Sequence, residues 1–280
     1  MTELAPGARI GPYTLVRRIG EGGMGVVYEC ARDGSPHPIA LKLLRPELAQ
    51  NDGYRRRFQH EVRAASEVGH PGLVPIVDAG EADGYHYLAM PFVGRRTLKT
   101  VIRDEGRLPL DRTLAMAEQL GSALDAIHER GLMHRDIKSS NVLLTDAGVP
   151  MLSDFGVAKG TGYTVLTRTG LMVGTLDYLA PELIRGEPAT PASDVYAFAC
   201  LVYECLAGAP PFSSRSMFEI GYAHLNDPPA GLRAHVPGIS DELDRALLRG
   251  LDKEPSRRPH LAGAYAGMLR ILHHHSGGRS

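Results

Sequence analysis

The chain has 280 residues, ample for a sizeable core, and its 31 Lys and Arg against 32 Asp and Glu leave a formal charge of −1. No whole-molecule field gathers polyanions, so nucleic acid is not an expected partner, and glycine (32) with proline (20) stays below the share that marks a low-complexity chain. Three scattered cysteines, Cys30, Cys200 and Cys205, are too few for a disulfide framework and read as buried thiols in a reducing, cytoplasmic setting.

The opening MTELAPGARIG lacks the basic-then-apolar pattern of a secretory signal, and residues 1–12 read as an extension ahead of the first strand. Strands are then predicted at Tyr13–Val16, Val26–Tyr28, Ile39–Leu43 and Tyr85–Met90, with glycine-rich turns between them. A helix over Tyr54–Val68 places Phe58, Glu61, Val62, Ala65 and Val68 on one face, so a glutamate sits on an apolar stripe. After Phe92 the pattern turns helical. Leu114, Ala117, Leu120, Leu124 and Ile127 mark a long amphipathic helix that Gly131 closes, and further helices are expected over Asp194–Ala207 and Asp241–Leu251. The longest apolar stretch, Val195–Gly208, contains Glu204 and falls short of the roughly 20 residues a bilayer requires, so it predicts a buried core helix and no membrane segment. Asp227–Gly238 reads as an ordered connector. His273–His275 reads as tail or helix-end composition, and residues 273–280 as a tail or the start of a linker.

Gly20-Glu21-Gly22-Gly23-Met24-Gly25 carries G-x-G-x-x-G, a weak signal by itself. No Lys-Ser/Thr pair follows, as a Walker A loop requires, and Val26-Val27-Tyr28 favours a strand where a dinucleotide fold needs a helix. What remains is a β-turn-β flap whose backbone can lie close to phosphates. Lys42 ends the apolar run Ile39-Ala40-Leu41 and is costly there unless its ammonium meets an anion. Glu61 has the same problem with the opposite sign, and mutual pairing solves both.

The most specific segment is His134-Arg135-Asp136-Ile137-Lys138-Ser139-Ser140-Asn141, followed in order by Asp154-Phe155-Gly156 and Ala180-Pro181-Glu182. With the glycine flap, Lys42 and Glu61, this set resembles the protein kinases, specifically bacterial serine/threonine kinases of the eukaryotic-like type. The resemblance implies an α+β, bilobal protein kinase-like fold over residues 13–272. It has a small N-lobe (13–92) of antiparallel β-sheet plus one helix and a larger, mainly helical C-lobe (93–272), with ATP between them and a hinge near Pro91 to Gly94.

By resemblance, ATP is held by Ile19, Gly20, Glu21, Gly22, Gly23, Met24, Gly25, Val26 and Val27 of the flap, and by Ala40, Met90 and Leu143 around adenine. Lys42, oriented by Glu61, holds the α- and β-phosphates. Pro91 stands at the hinge where glutamate is usual; it keeps the carbonyl and loses only an N–H, and Val93 supplies the other adenine contact. Asn141 and Asp154 are implied ligands of Mg²⁺, with Mn²⁺ as an alternative ion. Asp136 takes or orients the proton of the acceptor hydroxyl, and Lys138 neutralises the γ-phosphate. Lysine two residues after the aspartate points to Ser/Thr acceptors in protein substrates. Arg135 suits a phosphorylated activation loop, with autophosphorylation expected at Thr167 and Thr169; the resemblance admits a homodimer for this reaction in trans. Thr175 is expected to line the acceptor site. His134 belongs to the structural set. Glu182 is expected to pair with Arg258, and Asp194 to open a helix, capping it and bracing the catalytic loop. Ser139, where relatives carry proline, is expected to have no chemical role.

Two other readings compete: a small-molecule phosphotransferase of related fold, and a pseudokinase acting as a scaffold. The complete glycine flap with an intact Ala180-Pro181-Glu182 segment speaks against the first. The filled positions Lys42, Glu61, Asp136, Asn141 and Asp154 speak against the second. A zinc-protease reading fails, because Ala64 and Leu132 stand where the second histidine would be needed.

Overall fold

The computed structural model describes residues 4–22, 25–45, 52–154, 176–213 and 216–277. They fall into two compact units, the first running to His70 and resuming over Val74–Gly94, the second comprising Pro71–Leu73 and the chain from Arg95 onward.

The first unit is built on an antiparallel sheet of β1 (Arg9–Ile10), β2 (Tyr13–Gly22), β3 (Gly25–Arg32), β4 (Ile39–Leu44), β5 (Asp78–Ala82) and β6 (Tyr85–Pro91). The spatial order is β1-β2-β3-β4-β6-β5. Helix α1 (Asp52–Ser66) interrupts the strands. Alternation along β3, β4 and β6 sends Val26, Tyr28, Cys30, Ile39, Leu41, Leu43, Tyr87 and Ala89 into one cluster, together with Ile10, Tyr13 and Leu15. Two bulges, at Val16 and Ile19, shift the register of β2 against β3 and add local twist. At Gly25 any Cβ would lie 2.0 Å from the Leu43 carbonyl oxygen, so that strand contact admits only glycine.

The second unit opens with β7 (Arg96–Thr97) and α2 (Leu98–Glu105), then α3 (Leu110–His128). β8 (Val142–Leu144) and β9 (Pro150–Leu152) complete a small antiparallel sheet with β7. Leu73 bridges Leu152 in parallel, and the Leu152 N–H donates to the Gly72 carbonyl at 2.8 Å. The helices α4 (Pro181–Ile184), α5 (Pro191–Ala207), α6 (Met217–Asn226), α7 (Asp241–Arg249) and α8 (Ala262–Gly277) follow. In α3 the expected stripe Leu114, Ala117, Leu120, Leu124 and Ile127 is buried. Helix α5 is buried on all sides from Ser193 to Leu206, as expected for a core helix, and all three cysteines are buried free thiols. Among the described residues no helix is long and apolar enough to cross a membrane.

The arrangement is the expected α+β one, with several local differences. Helix α5 begins at Pro191, with Thr190 as its N-cap in extended conformation, so Asp194 stands inside the first turn and is not the cap. Pro191 fits the first helical position because the N–H it lacks would have no partner there. Strand β5, Asp-Ala-Gly-Glu-Ala, was not among the predicted strands; it is an edge strand of mostly half-buried residues and has no apolar alternation to read. The connector contains a 3-10 turn, Leu232–Ala234, with Leu232 buried. His273–His275 lie within α8.

Candidate active site

In the first unit, register places the expected nucleotide-facing residues on one side of the sheet. Val27 is opposite Lys42, Glu29 opposite Ala40, Ala40 opposite Met90 and Lys42 opposite Leu88. Since paired residues of an antiparallel ladder share a face, Val27, Ala40, Lys42 and Met90 all lie opposite the buried cluster. Val27, Ala40 and Lys42 are half-buried. Lys42 is on a central strand of the sheet. Glu61 is half-buried on α1 beside buried Val62. Pro91 ends β6 opposite Ile39, and the Phe92 N–H donates to the Pro38 carbonyl at 3.1 Å. Val93 is half-buried just beyond.

In the flap, Gly20 has no neighbour closer than 3.9 Å to a built Cβ, and Gly22 has none within 4 Å. The fold itself thus demands glycine at Gly25 but not at Gly20 or Gly22. Ile19 is the half-buried bulge residue, and Val26 points into the core cluster. Glu21 is exposed and ion-paired with Arg18 and with Arg45. Gly23 and Met24 lie outside the described residues, as do Thr167, Thr169 and Thr175.

In the second unit, the residues expected to form the catalytic loop make one hydrogen-bonded constellation. The Asp136 carboxylate receives Lys138 Nζ at 3.0 Å and Asn141 Nδ2 at 2.9 Å, and Asn141 Nδ2 also donates to the Asp136 carbonyl at 2.8 Å. The Asn141 amide nitrogen is therefore spent on Asp136. Arg135 and Asp154 both adopt positive φ, 60° and 57°, conformations that non-glycine residues rarely hold without a surrounding framework.

For Arg135 that framework comes from Asp194 on α5. Its Oδ2 accepts the His134 N–H at 2.7 Å and His128 Nε2 at 2.9 Å; Oδ1 accepts the Arg135 N–H at 2.9 Å. His134 is fully buried and links two segments. Its Nδ1 accepts the Asp136 N–H at 3.3 Å, so Nε2 bears the proton that it shares with the Ser153 carbonyl at 3.1 Å. That tautomer is neutral, and burial holds the His134 pKa below the usual histidine value against the pull of Asp194, Asp136 and Asp154. Ser153 is adjacent to Asp154, so the imidazole connects the Asp136 loop to the segment that follows β9. Leu143 is half-buried on β8.

Glu182 and Arg258 form the expected pair, two parallel bonds of 2.7 and 2.8 Å between fully buried groups. Burial pushes the Glu182 carboxyl up, but the Arg258 bonds and charge outweigh it and hold the group below the usual carboxylate range. Ser193 Oγ donates to the same carboxylate at 2.8 Å.

Three residues that matter here escaped the sequence reading. Ser139, expected to be without a role, is 1 % exposed and donates to Glu204 Oε1 at 3.1 Å. Tyr178, in the 3-10 turn Leu176–Tyr178, donates to Glu204 Oε2 at 2.6 Å. His128 pairs with Asp194 at the end of α3. The available signal was a carboxylate, Glu204, in an otherwise apolar core helix.

Known proteins share this chain's sequence and fold. The family model described as protein kinase domain matches residues 13–274. The chain is 39% identical over 272 residues to serine/threonine-protein kinase PknD of Mycobacterium tuberculosis, covering 95% of this chain and 40% of that one. It is 40% identical over 260 residues to serine/threonine-protein kinase PknH of Mycobacterium bovis, covering 93% and 44%. The crystal structure of the Mycobacterium tuberculosis PknI kinase domain superposes with a TM-score of 0.77 at 34% identity, over 97% of this chain and all of that one. The fold is the protein kinase fold, and the chain belongs to the protein kinase family. It spans less than half the length of the curated relatives PknD and PknH.

Proposed function

We propose that the chain is a serine/threonine protein kinase, transferring the γ-phosphate of Mg-ATP to Ser and Thr hydroxyls of proteins and activated by autophosphorylation. The observation that carries the reading is the Asp136 carboxylate held between Lys138 Nζ and Asn141 Nδ2 in a loop braced by Asp194. Such a carboxylate is fixed to receive the proton of an acceptor hydroxyl, and phosphoryl transfer asks chiefly for this kind of positioning.

Asn141 and Asp154 fit Mg²⁺ in donor chemistry: one amide oxygen and one carboxylate form the sparse hard-oxygen set that the ion takes when substrate phosphates complete its shell. When bound, the ion supplies charge neutralisation at the phosphates. Lys138 turns its ammonium to the transferred group, Lys42 holds the α- and β-phosphates with Glu61 orienting it, and Val27, Ala40 and Met90 offer adenine an apolar face of the first unit's sheet. The room at Gly20 and Gly22 supports close backbone approach to phosphate. Protein substrates and a second copy acting in trans are the partners of this reaction. Incubation with Mg-ATP followed by mass spectrometry should find phosphate on Thr167 or Thr169. Phosphate on neither would count against activation by autophosphorylation, and transfer to small alcohols but not to proteins would overturn the substrate class.

A further inference from the structure

Ser139, Tyr178 and Glu204 come from three separate segments of the second unit and meet around one carboxylate: Tyr178 Oη to Glu204 Oε2 is 2.6 Å, Ser139 Oγ to Glu204 Oε1 is 3.1 Å, and Ser139 Oγ to Tyr178 Oη is 3.1 Å. All three side chains are buried. Burial pushes the Glu204 carboxyl up, with the Tyr178 and Ser139 bonds and Lys99 opposing and Asp177 adding to the rise. A carboxylate so placed is costly unless its oxygens are occupied, and the two hydroxyls occupy one each.

The segments joined are the ones a kinase must coordinate. Ser139 lies between Lys138 and Asn141, both bonded to Asp136, and the Asn141 N–H donates to the Lys138 carbonyl at 2.9 Å across it. Tyr178 stands three residues after Thr175, the expected acceptor-site residue. Glu204 is on α5, the same helix whose Asp194 holds His134 and Arg135. The loop carrying Asp136 is therefore tied to α5 at both ends, by Asp194 at its start and by Ser139 near its end. The tie at Ser139 is shared with the segment that follows the acceptor site.

Resting on the kinase reading above, we infer that Ser139 is a positioning residue: its hydroxyl, through Glu204 and Tyr178, sets the catalytic loop against the acceptor segment, the task that proline at this place cannot perform by hydrogen bonding. It touches no reacting atom and acts through Asp136 and Asn141.

The test compares wild type, Ser139→Ala, Ser139→Thr, Tyr178→Phe and the Ser139→Ala/Tyr178→Phe double variant in steady-state transfer from ATP to a Ser/Thr protein substrate. Each rate is referred to the folded fraction measured by circular dichroism. Ser139→Ala should lower kcat roughly tenfold with the KM for ATP unchanged, Ser139→Thr should retain most of kcat, and the double variant should be far less impaired than the product of the single effects. Loss confined to folded fraction, with kcat per folded molecule unchanged in Ser139→Ala, would overturn the inference and leave the kinase reading standing. Independent, multiplicative effects of the two single variants would overturn it too. A wild-type chain that transfers nothing would overturn the kinase reading itself, and the inference with it.

Discussion

Two carboxylate oxygens of Asp194 serve three donors, the main-chain N–H groups of His134 and Arg135 and the His128 ring, and an amide cannot reproduce that. In Asp194→Asn one oxygen is replaced by an NH₂ group that faces a donor in a site 2 % exposed. The cost should be about 1–3 kcal/mol, seen in urea unfolding, together with a lower transfer rate as Arg135 loses its support. The contiguous residues His134 to Asn141 were legible because their spacing is local and their types are chemically distinct. Ser139 was not, because its partner is 65 positions away and a serine in a polar loop carries no outward sign of burial. Asp194 was legible as a brace and misread as a cap. A helix start hidden behind Thr190-Pro191 looks, in sequence, as if the first acidic residue opens it.

At the scale of elements, Arg258 secures α4 to α5 and to the 3-10 turn Pro255–Arg257. Besides the two bonds to Glu182 it donates to the carbonyls of Ala192 at 2.9 Å, Asp252 at 2.7 Å and Lys253 at 3.1 Å. Arg258→Met leaves the Glu182 carboxylate buried without its charged partner, and should destabilise the chain by about 3–5 kcal/mol. Arg258→Lys should recover little of it, since an ammonium cannot make the bidentate bond; full recovery in thermal unfolding would contradict this account. The pairing itself was legible through resemblance, whereas the Asp252 and Lys253 carbonyls that help complete the arginine's shell come from a connection that no periodicity marks. Strand β5 illustrates the same limit. It exists because β6 offers a hydrogen-bonding edge, and that tertiary fact leaves no trace in Asp-Ala-Gly-Glu-Ala.

For the whole molecule, stability should depend on pH through buried histidines. Burial first, and then Lys253, pushes His224 down to about 3. The unfolded chain takes up the proton near pH 6.5, so stability from this group is fully present above that value and falls as the pH drops from about 6.5 toward 3. At pH 5 the loss is about 2 kcal/mol relative to pH 7.5. His134 acts in the same direction. Urea unfolding of His224→Gln at the two pH values should show a smaller difference than wild type, and an equal difference would contradict the assignment. The two units themselves were foreshadowed by the change from strands to helices after Phe92. The proposed chemistry draws on both, Lys42 from the first and Asp136 from the second. The most direct measurement is therefore transfer of label from γ-labelled ATP to protein Ser and Thr by wild type, Asp136→Asn and Lys42→Met. The account predicts labelling by wild type and a loss of roughly 10²-fold or more in Asp136→Asn, with a severe loss in Lys42→Met as well. Equal labelling by all three would contradict it.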